Sequence, residues 1–578
     1  MNDFEIQDSQ SGFSMKLWRG ERMCLLGFDV AEPEPDLVGF AIECRSPGSA
    51  EFFPLRNRLA FSYDVPVKKA VTGAQKFLST VAPFQKFRWM HFPYEPRPGM
   101  YTYRATKMHM PQDGKLVRGT ALELQISLDP VTYNGFLDVG FTRNFASSQA
   151  YQEKYGNRAD IIPAVADDGL DFQKVPGDVY DWLGFEAYDL LFQFLKEAVE
   201  DPTIELDVLA YDLNEPDIVA QLERLGARLR IILDDSTSKK KGVTTGHGTP
   251  ASAESQAAAR LRTSATAEHV KRTHFGNLQH HKVFIAKRNG QCFKVLAGSM
   301  NFSFRGIYIQ ANNVLVFTAP EVAALFGQVF DAAFQNPAAF KGSALASKWH
   351  VVQSAGNPVV HLCFSPHRSA NLSLNPVRGA IDQAASSVLY SVAFLNQIKS
   401  GPTKDAFDRL MTRPVFSYGV VDSRGNLEVR KPDGSTGLVD FAFLAKNAPE
   451  PFKSEWSGGK GINIHHKFVV TDFSLPSAKV FTGSSNLAPG GEEGNGDHLI
   501  MIEDRKIALA YAIEALRIFD HLHFRSRMQE ALKDKKGKQA TEKLTLDKPT
   551  AISGKPAWFE KYYVANSQRE RDRLLFSH

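Results

Sequence analysis

His280 and Lys282, in QHHKVFIAKRNGQCFKVLAGSMN, and His465 and Lys467, in IHHKFVVTDFSLPSAKVFTGSSN, are the residues whose types and spacing could carry chemistry. Each pair is followed by Gly-Ser-x-Asn: Gly298, Ser299 and Asn301 in the first copy, Gly483, Ser484 and Asn486 in the second. His and Asn are 21 residues apart in both, so the copies align without a gap. Each supplies one imidazole, one ammonium, one hydroxyl and one carboxamide. Lysine and asparagine donate to anionic oxygens, and imidazole can attack, accept or donate a proton near neutral pH. Two copies face to face would hold one phosphorus between two imidazoles. One ring attacks to form a phosphohistidine; the other protonates the leaving oxygen and then activates the incoming water or alcohol. The paired Lys and Asn neutralise the equatorial oxygens, a task Mg²⁺ performs in other enzymes, so the chemistry requires no metal or other cofactor.

Such a cluster needs elements that bring its parts together. On an extended strand alternate side chains share a face, so His280 and Lys282 project together while His281 points away, and His465, Lys467 and His466 repeat the arrangement. The apolar VFIA runs into Asn289-Gly290, a two-residue hairpin signal, and the return strand carries Ser299 and Asn301 back to the His/Lys end. The copies lie 185 residues apart, the size of a domain, which predicts a duplicated fold rather than a solenoid. Ahead of the first copy FEAYDLLFQFLKEAVED and PDIVAQLERLGA read as helices, IELDVLAYDL and RLRIILDDS as buried strands. That order predicts βαβ units and a mostly parallel sheet. NPVRGAIDQAASSVLYSVAFLNQ and RPVFSYGVVDS replay it in the second half. TSKKKGVTTGHGTPASAESQAAA, rich in Gly, Ser, Thr and Ala, predicts a mobile surface loop.

Residues 1–145 read as short β segments cut by Pro, Gly and Asp, a β-sandwich pattern, with PGMYTYRATKM similar to the tyrosine-bearing strand of immunoglobulin or fibronectin domains. The expected organisation is therefore a sandwich over 1–145, a first lobe over 146–340, a second over 341–535, and a charged linker and tail over 536–578. Trp558, Tyr562 and Tyr563 of that tail are expected to cap the core.

At 578 residues the chain exceeds what a single core supports. Its formal charge of +4 arises from 68 basic and 64 acidic residues, which excludes a global field of the kind that drives sequence-independent nucleic-acid binding. MNDFEIQDSQSG lacks the basic and apolar regions of a secretory signal, and no stretch approaches ~18 apolar residues. The four cysteines are scattered without a CxxC, which fits buried thiols in a reducing compartment. Cytoplasmic synthesis is the default expectation; export by a signal-independent machine would leave no trace here.

The pattern H-x-K-x4-D followed by G-S-x-N resembles the signature of the phospholipase D superfamily. His465, Lys467, Asp472, Gly483, Ser484 and Asn486 fit it in the second copy, His280, Lys282, Gly298, Ser299 and Asn301 in the first, and the resemblance spans roughly 146–530. It implies an α/β fold, a duplicated bilobed α/β/α sandwich behind the all-β (immunoglobulin- or fibronectin-like) domain, and metal-independent phosphodiester chemistry. Lys282, Ser299, Asn301, Lys467, Ser484 and Asn486 are the implied phosphate-binding groups; His280, His465, Asp472 and Asp497 complete the implied catalytic set. Two departures stand out. Lys287 replaces the first Asp, and eleven residues past the motif Asn, where the family has an acid orienting the imidazole, the first copy has Asn312 and the second Asp497. On this reading His465 has a carboxylate partner in Asp497 and is the more basic ring, His280 has only an amide, and which ring attacks is left open.

The expected substrate is a phospholipid head group at a membrane surface, cleaved by hydrolysis or transphosphatidylation. A nuclease using the same pocket and a catalytically degenerate scaffold are the alternatives; near-neutral charge and two motifs in one chain lean towards lipid. Both half-sites in one chain suffice for a monomer, although oligomeric state is left open. A zinc site from His280, His281, His465 and His466 is disfavoured because neighbours on a strand face opposite ways. His274, His361, His367 and His498 read as structural or surface residues, and TSKKKG as a solvated charge run.

Overall fold

Alternating apolar residues form the strands expected in the N-terminal region, where two four-stranded antiparallel sheets face each other. The computed structural model describes residues 3–62, 76–144, 148–156, 158–163, 169–441, 461–531 and 545–578. One sheet comprises Glu5–Gln10, Phe13–Gly20, Met23–Val30 and Arg88–His91; the other comprises Val117–Ser127, Met100–His109, Leu37–Arg45 and Phe53–Pro54. Their core stacks Phe28 on Phe40, with ring centroids 4.8 Å apart, and is closed by the tail: Trp558 packs on Phe87 at 5.1 Å and donates to the Leu37 carbonyl at 2.9 Å. The aromatic tail caps this core. The charged linker falls mainly on 532–544, outside the described residues.

Each lobe is an eight-stranded sheet, and the two sheets share one topology. In the first, β1 (Ile204–Ala210), β2 (Leu229–Leu233), β3 (Val283–Arg288), β4 (Gln291–Gly298) and β5 (Asn313–Phe317) stand in the order β5-β4-β3-β1-β2. In the second, β6 (Ser387–Val392), β7 (Phe416–Val421), β8 (Lys467–Thr471), β9 (Lys479–Gly483) and β10 (His498–Glu503) stand as β10-β9-β8-β6-β7. Asn289 (φ 52°) and Gly290 (φ 74°) make the tight β3–β4 turn that their sequence signals.

The sheets are mixed, not mostly parallel: β1–β2 is parallel, but β1–β3, β3–β4 and β4–β5 are antiparallel, because hairpins rather than crossovers join the strands that carry the motifs. Residues 132–141, expected in the sandwich, instead form Thr132–Tyr133 and Leu137–Phe141, which extend the first lobe's sheet by pairing with β5. Nor is TSKKKGVTTGHGTPASAESQAAA one loop. It makes a short hairpin, Ser238–Lys240 with Val243–Thr245, and then a helix, Ala253–Ala265, whose alanines favour helix and whose Ser252 caps the N-terminus.

Helices cover both faces of each sheet. Helix α1 (Val179–Glu200) packs on the outer face of the first sheet, while α2 (Pro320–Gln335) and α3 (Arg505–Ala531) fill one apolar core shared by the inner faces of both lobes and by Trp18, Met23 and Leu25 of the sandwich. Among the described residues no helix is long and apolar enough to cross a membrane.

Candidate active site

The residue before each motif histidine bridges to the opposite lobe. Gln279 forms a parallel bridge with Gly496, and Ile464 forms one with Ala311. The His280 N–H donates to the Gly496 carbonyl at 2.9 Å, and the His465 N–H to the Ala311 carbonyl at 3.1 Å. Each histidine is thus fixed one residue away from the polar side chain that follows the bridge on the other lobe: Asp497 for His280, Asn312 for His465. A buried aspartate at the end of β2 and a half-buried one at the end of β7 hold the same segments. Asp234 accepts from the Gln279 N–H at 2.7 Å, and Asp422 from the Asn463 and Ile464 N–H groups at 2.8 and 3.0 Å.

The side-chain pairing is therefore crossed, the reverse of the expected assignment. His280 Nδ1 bonds Asp497 Oδ1 at 2.6 Å, and His465 Nδ1 bonds Asn312 Oδ1 at 2.9 Å. A carboxylate only accepts, so His280 carries its proton on Nδ1. The Asn312 amide donates to the Gly306 carbonyl at 2.9 Å, which aims its oxygen at His465 and fixes the same tautomer there. Each ring keeps its lone pair on Nε2. Sequence adjacency misleads because Asn312 and Asp497 each lie near the histidine of their own copy in the chain, whereas the bridges pair each with the other copy's histidine.

Both rings are buried, with 4% and 5% of their surface exposed. Burial pushes the Asp497 carboxyl up, but His280, Lys282 and the Ser484 hydroxyl outweigh it and hold the group far below the ordinary carboxylate range. Burial likewise lowers His280, against the pull of Asp497, and lowers His465 further because Lys467 and Lys282 add their charge. Lys282 donates to the His280 carbonyl at 2.5 Å, and burial brings it down to about 8. Lys467 lies 3.0 Å from His465 Nε2 and is pushed well below the usual range by burial and by Lys282. The described site thus concentrates two ammonium groups and two imidazoles within mutual electrostatic reach. Asn301 and Asn486 add carboxamides whose oxygens are buried without a hydrogen-bond partner among the described residues.

Three expected site residues do other work. Ser299 and Ser484 are fully buried and do not reach for phosphate: their hydroxyls donate to Asn312 at 2.8 Å and Asp497 at 2.7 Å while accepting from the Asn313 and His498 N–H groups. They orient the groups that orient the rings. The preceding Gly483 is required by close approach, since a Cβ there would collide with the His498 carbonyl oxygen. Asp472 lies at the far end of β8 from His465, where it accepts from the N–H groups of Ala385, Ser386 and Ser387 at 2.7–3.2 Å. Lys287, its counterpart, pairs with Asp207 at 2.8 Å. The first copy's departure from the motif therefore leaves the site untouched. Asp472→Asn is expected to cost about 1–3 kcal/mol of stability by orphaning backbone donors, read as a lower denaturant midpoint, with kcat per folded molecule unchanged.

The second histidine of each copy faces away, as strand alternation predicts: His281 stacks on His498 with Nδ1 atoms 3.2 Å apart, and His466 bonds Glu514 at 3.1 Å. The four motif histidines do not converge on one metal. Among the described residues Asp212, His247 and Glu254 bring donor atoms within 4.8 Å of one another, but both nitrogens of His247 are already taken by carboxylates. Sequence reading missed Tyr211, whose ring lies 4.6 Å from His280 and 4.8 Å from the Lys282 ammonium, as well as Asp212 and His247 beside it. The available signals were a Tyr-Asp at the end of a predicted strand and a histidine between two glycines.

Residues 192–334 match the family model described as "Cardiolipin synthase, PLD-like domain". No curated protein matches the chain. Among solved structures, phosphatidylserine synthase of Haemophilus influenzae Rd KW20 is similar at 13% identity over 59% of this chain and 90% of that one, with a TM-score of 0.38. Yeast tyrosyl-DNA phosphodiesterase is similar at 10% identity over 52% and 83%, TM-score 0.27, and the phospholipase D family member Nuc from Salmonella typhimurium at 19% over 25% and 86%, TM-score 0.20. The family match falls on the first lobe, which is thus a phospholipase D-like domain, and the second lobe repeats its motif on the same strands of a sheet of the same topology.

Proposed function

We propose that the protein is a metal-independent phosphodiesterase of phospholipase D type that cleaves phospholipid head groups, by hydrolysis or by transfer to an alcohol, through a phosphohistidine on His280. The observation that carries this reading is the crossed pairing of Asp497 with His280 and Asn312 with His465. The carboxylate raises the nucleophilicity of His280 Nε2, which attacks phosphorus while the bond to the leaving oxygen breaks. That oxygen takes a proton from His465. The ring is poorly protonated in the empty site, and an entering diester anion favours its imidazolium form. Water or an alcohol then gives its proton to His465, attacks phosphorus and releases His280. Lys282, Lys467, Asn301 and Asn486 stabilise the charge that builds on the equatorial oxygens.

A phospholipid is favoured over a polynucleotide because the first lobe's wall is not a basic track: Asp212, Asp234 and Glu254 stand beside His247 and Arg272. Flanking phosphates of a polynucleotide would meet Asp212, the partly exposed one of the three, whereas a phospholipid brings a single diester. Vesicles of phosphatidylcholine, phosphatidylethanolamine and phosphatidylglycerol in EDTA are expected to release choline, ethanolamine or glycerol. Cleavage of single-stranded DNA in EDTA with intact vesicles would overturn the lipid assignment. The free enzyme's kcat/KM is expected to fall as pH rises through about 8, where Lys282 loses its proton, and to fall again in acid as His280 gains one. A profile flat from pH 6 to 10 would contradict it.

A further inference from the structure

His247 lies outside both motifs, yet it is tied to His280 from several directions. Its Nδ1 bonds Asp234 at 2.9 Å and its Nε2 bonds Asp212 at 3.0 Å, so with a carboxylate on each nitrogen the ring holds two protons and a positive charge. Asp234 uses its other oxygen on the N–H of Gln279, the residue before His280, at 2.7 Å. Asp212 uses its other oxygen on the Asn301 carboxamide at 2.5 Å. Tyr211 packs edge-on against both His247, at 4.4 Å, and His280, at 4.6 Å.

The backbone holds this arrangement firmly. The His247 carbonyl accepts from Arg272 and from Ser252, and Gly248 lies where a Cβ would strike the Asp235 carbonyl oxygen. In the second lobe, strand register puts Phe394 at the position of Asp212. The device belongs to the His280 side alone.

We propose that His247 is a positioning residue for the His280 reaction: its cation balances Asp212, so that Asn301 stays aligned and His280 stays unprotonated. This rests on the phosphodiesterase reading above. The groups facing His247 are Asp212, Asp234, Glu254 and Tyr211, with Arg272 on its carbonyl; those facing His280 are Asp497, Lys282, Lys467, His465, Asp212 and Tyr211. Burial alone would push His247 down, and its two carboxylate partners instead lift it to about 10, so it stays charged throughout the working range. Removing that charge leaves Asp212 uncompensated beside His280, which favours the imidazolium and raises the pH at which the nucleophile is lost.

The test is an NMR titration of the His280 ring, assigned by loss of its signal in His280→Asn, together with the pH profile of kcat/KM for bis(p-nitrophenyl) phosphate in EDTA. His247→Gln is expected to move the ring titration and the acid limb to higher pH and to lower kcat about tenfold to a hundredfold through misalignment of Asn301. Asp212→Asn is expected to move both to lower pH, and His247→Arg to leave them near the wild-type position. Unmoved titrations in both His247→Gln and Asp212→Asn overturn the proposal, even where kcat falls. Should the wild-type chain turn over no diester, the phosphodiesterase reading fails on its own, and the ring titration still decides whether His247 sets the state of His280.

Discussion

In the His280→Ala variant, turnover of a phosphodiester is expected to fall by about 10⁶-fold, the scale of losing a nucleophile that acts as one unit with its partners. His465→Ala is expected to behave differently. A general acid contributes about 10²–10⁴-fold, and only where the leaving oxygen needs a proton. Its loss should therefore be largest for an alkoxide such as choline and smallest for p-nitrophenolate, which departs unprotonated. Measuring kcat for both variants across esters of graded leaving-group pKa separates the two roles. Equal losses for both variants at every leaving group would contradict the assignment, because a symmetric site has no fixed nucleophile.

The second large effect concerns the groups that hold the two ring Nδ1 atoms, a carboxylate on His280 and a carboxamide on His465. Asp497→Asn keeps the shape of the partner but lets an amide N–H face His280 Nδ1, which would move the ring proton to Nε2 and remove the attacking lone pair. A loss of about 10⁴-fold in kcat is expected, as for other buried carboxylates that fix a histidine tautomer. The hydrogen bond being replaced is 2.6 Å long and buried. The exchange variant Asp497→Asn/Asn312→Asp gives the carboxylate to His465 instead. It is expected to recover part of the lost rate, with the covalent adduct on the other ring. Full activity in Asp497→Asn would show that the carboxylate does not select the nucleophile.

The duplicated lobes and the residues that converge were legible because the chemistry is written in short local patterns. His280, Lys282 and Asn301 lie on one hairpin, and strand alternation alone separates His280 from His281. Long-range register was not legible. The partner of His280 sits 217 positions away in the other lobe, and only the Gln279–Gly496 and Ile464–Ala311 bridges reveal the crossing. Asp472 illustrates the opposite error: motif membership promised a role in the site, whereas β8 carries it to the far end of the strand, where it holds backbone N–H groups. His247 escaped notice because Gly, Ser and Thr around it read as a loop, although Gly246 and Gly248 let the chain press against Ser236 and Asp235 and deliver the ring to Asp212. The parallel sheet was over-predicted for a related reason: alternating helices and strands announce crossovers, but the motif strands return by hairpins.

The position at which phosphorus becomes covalently attached distinguishes the two histidines most directly. Protein mixed with a ³²P-labelled phosphatidyl substrate in EDTA, quenched in alkali and digested for mass spectrometry is predicted to carry an acid-labile, base-stable phosphoryl group on His280, absent in His280→Ala. A label on His465, or steady turnover in a His280→Ala protein that folds normally, would contradict it.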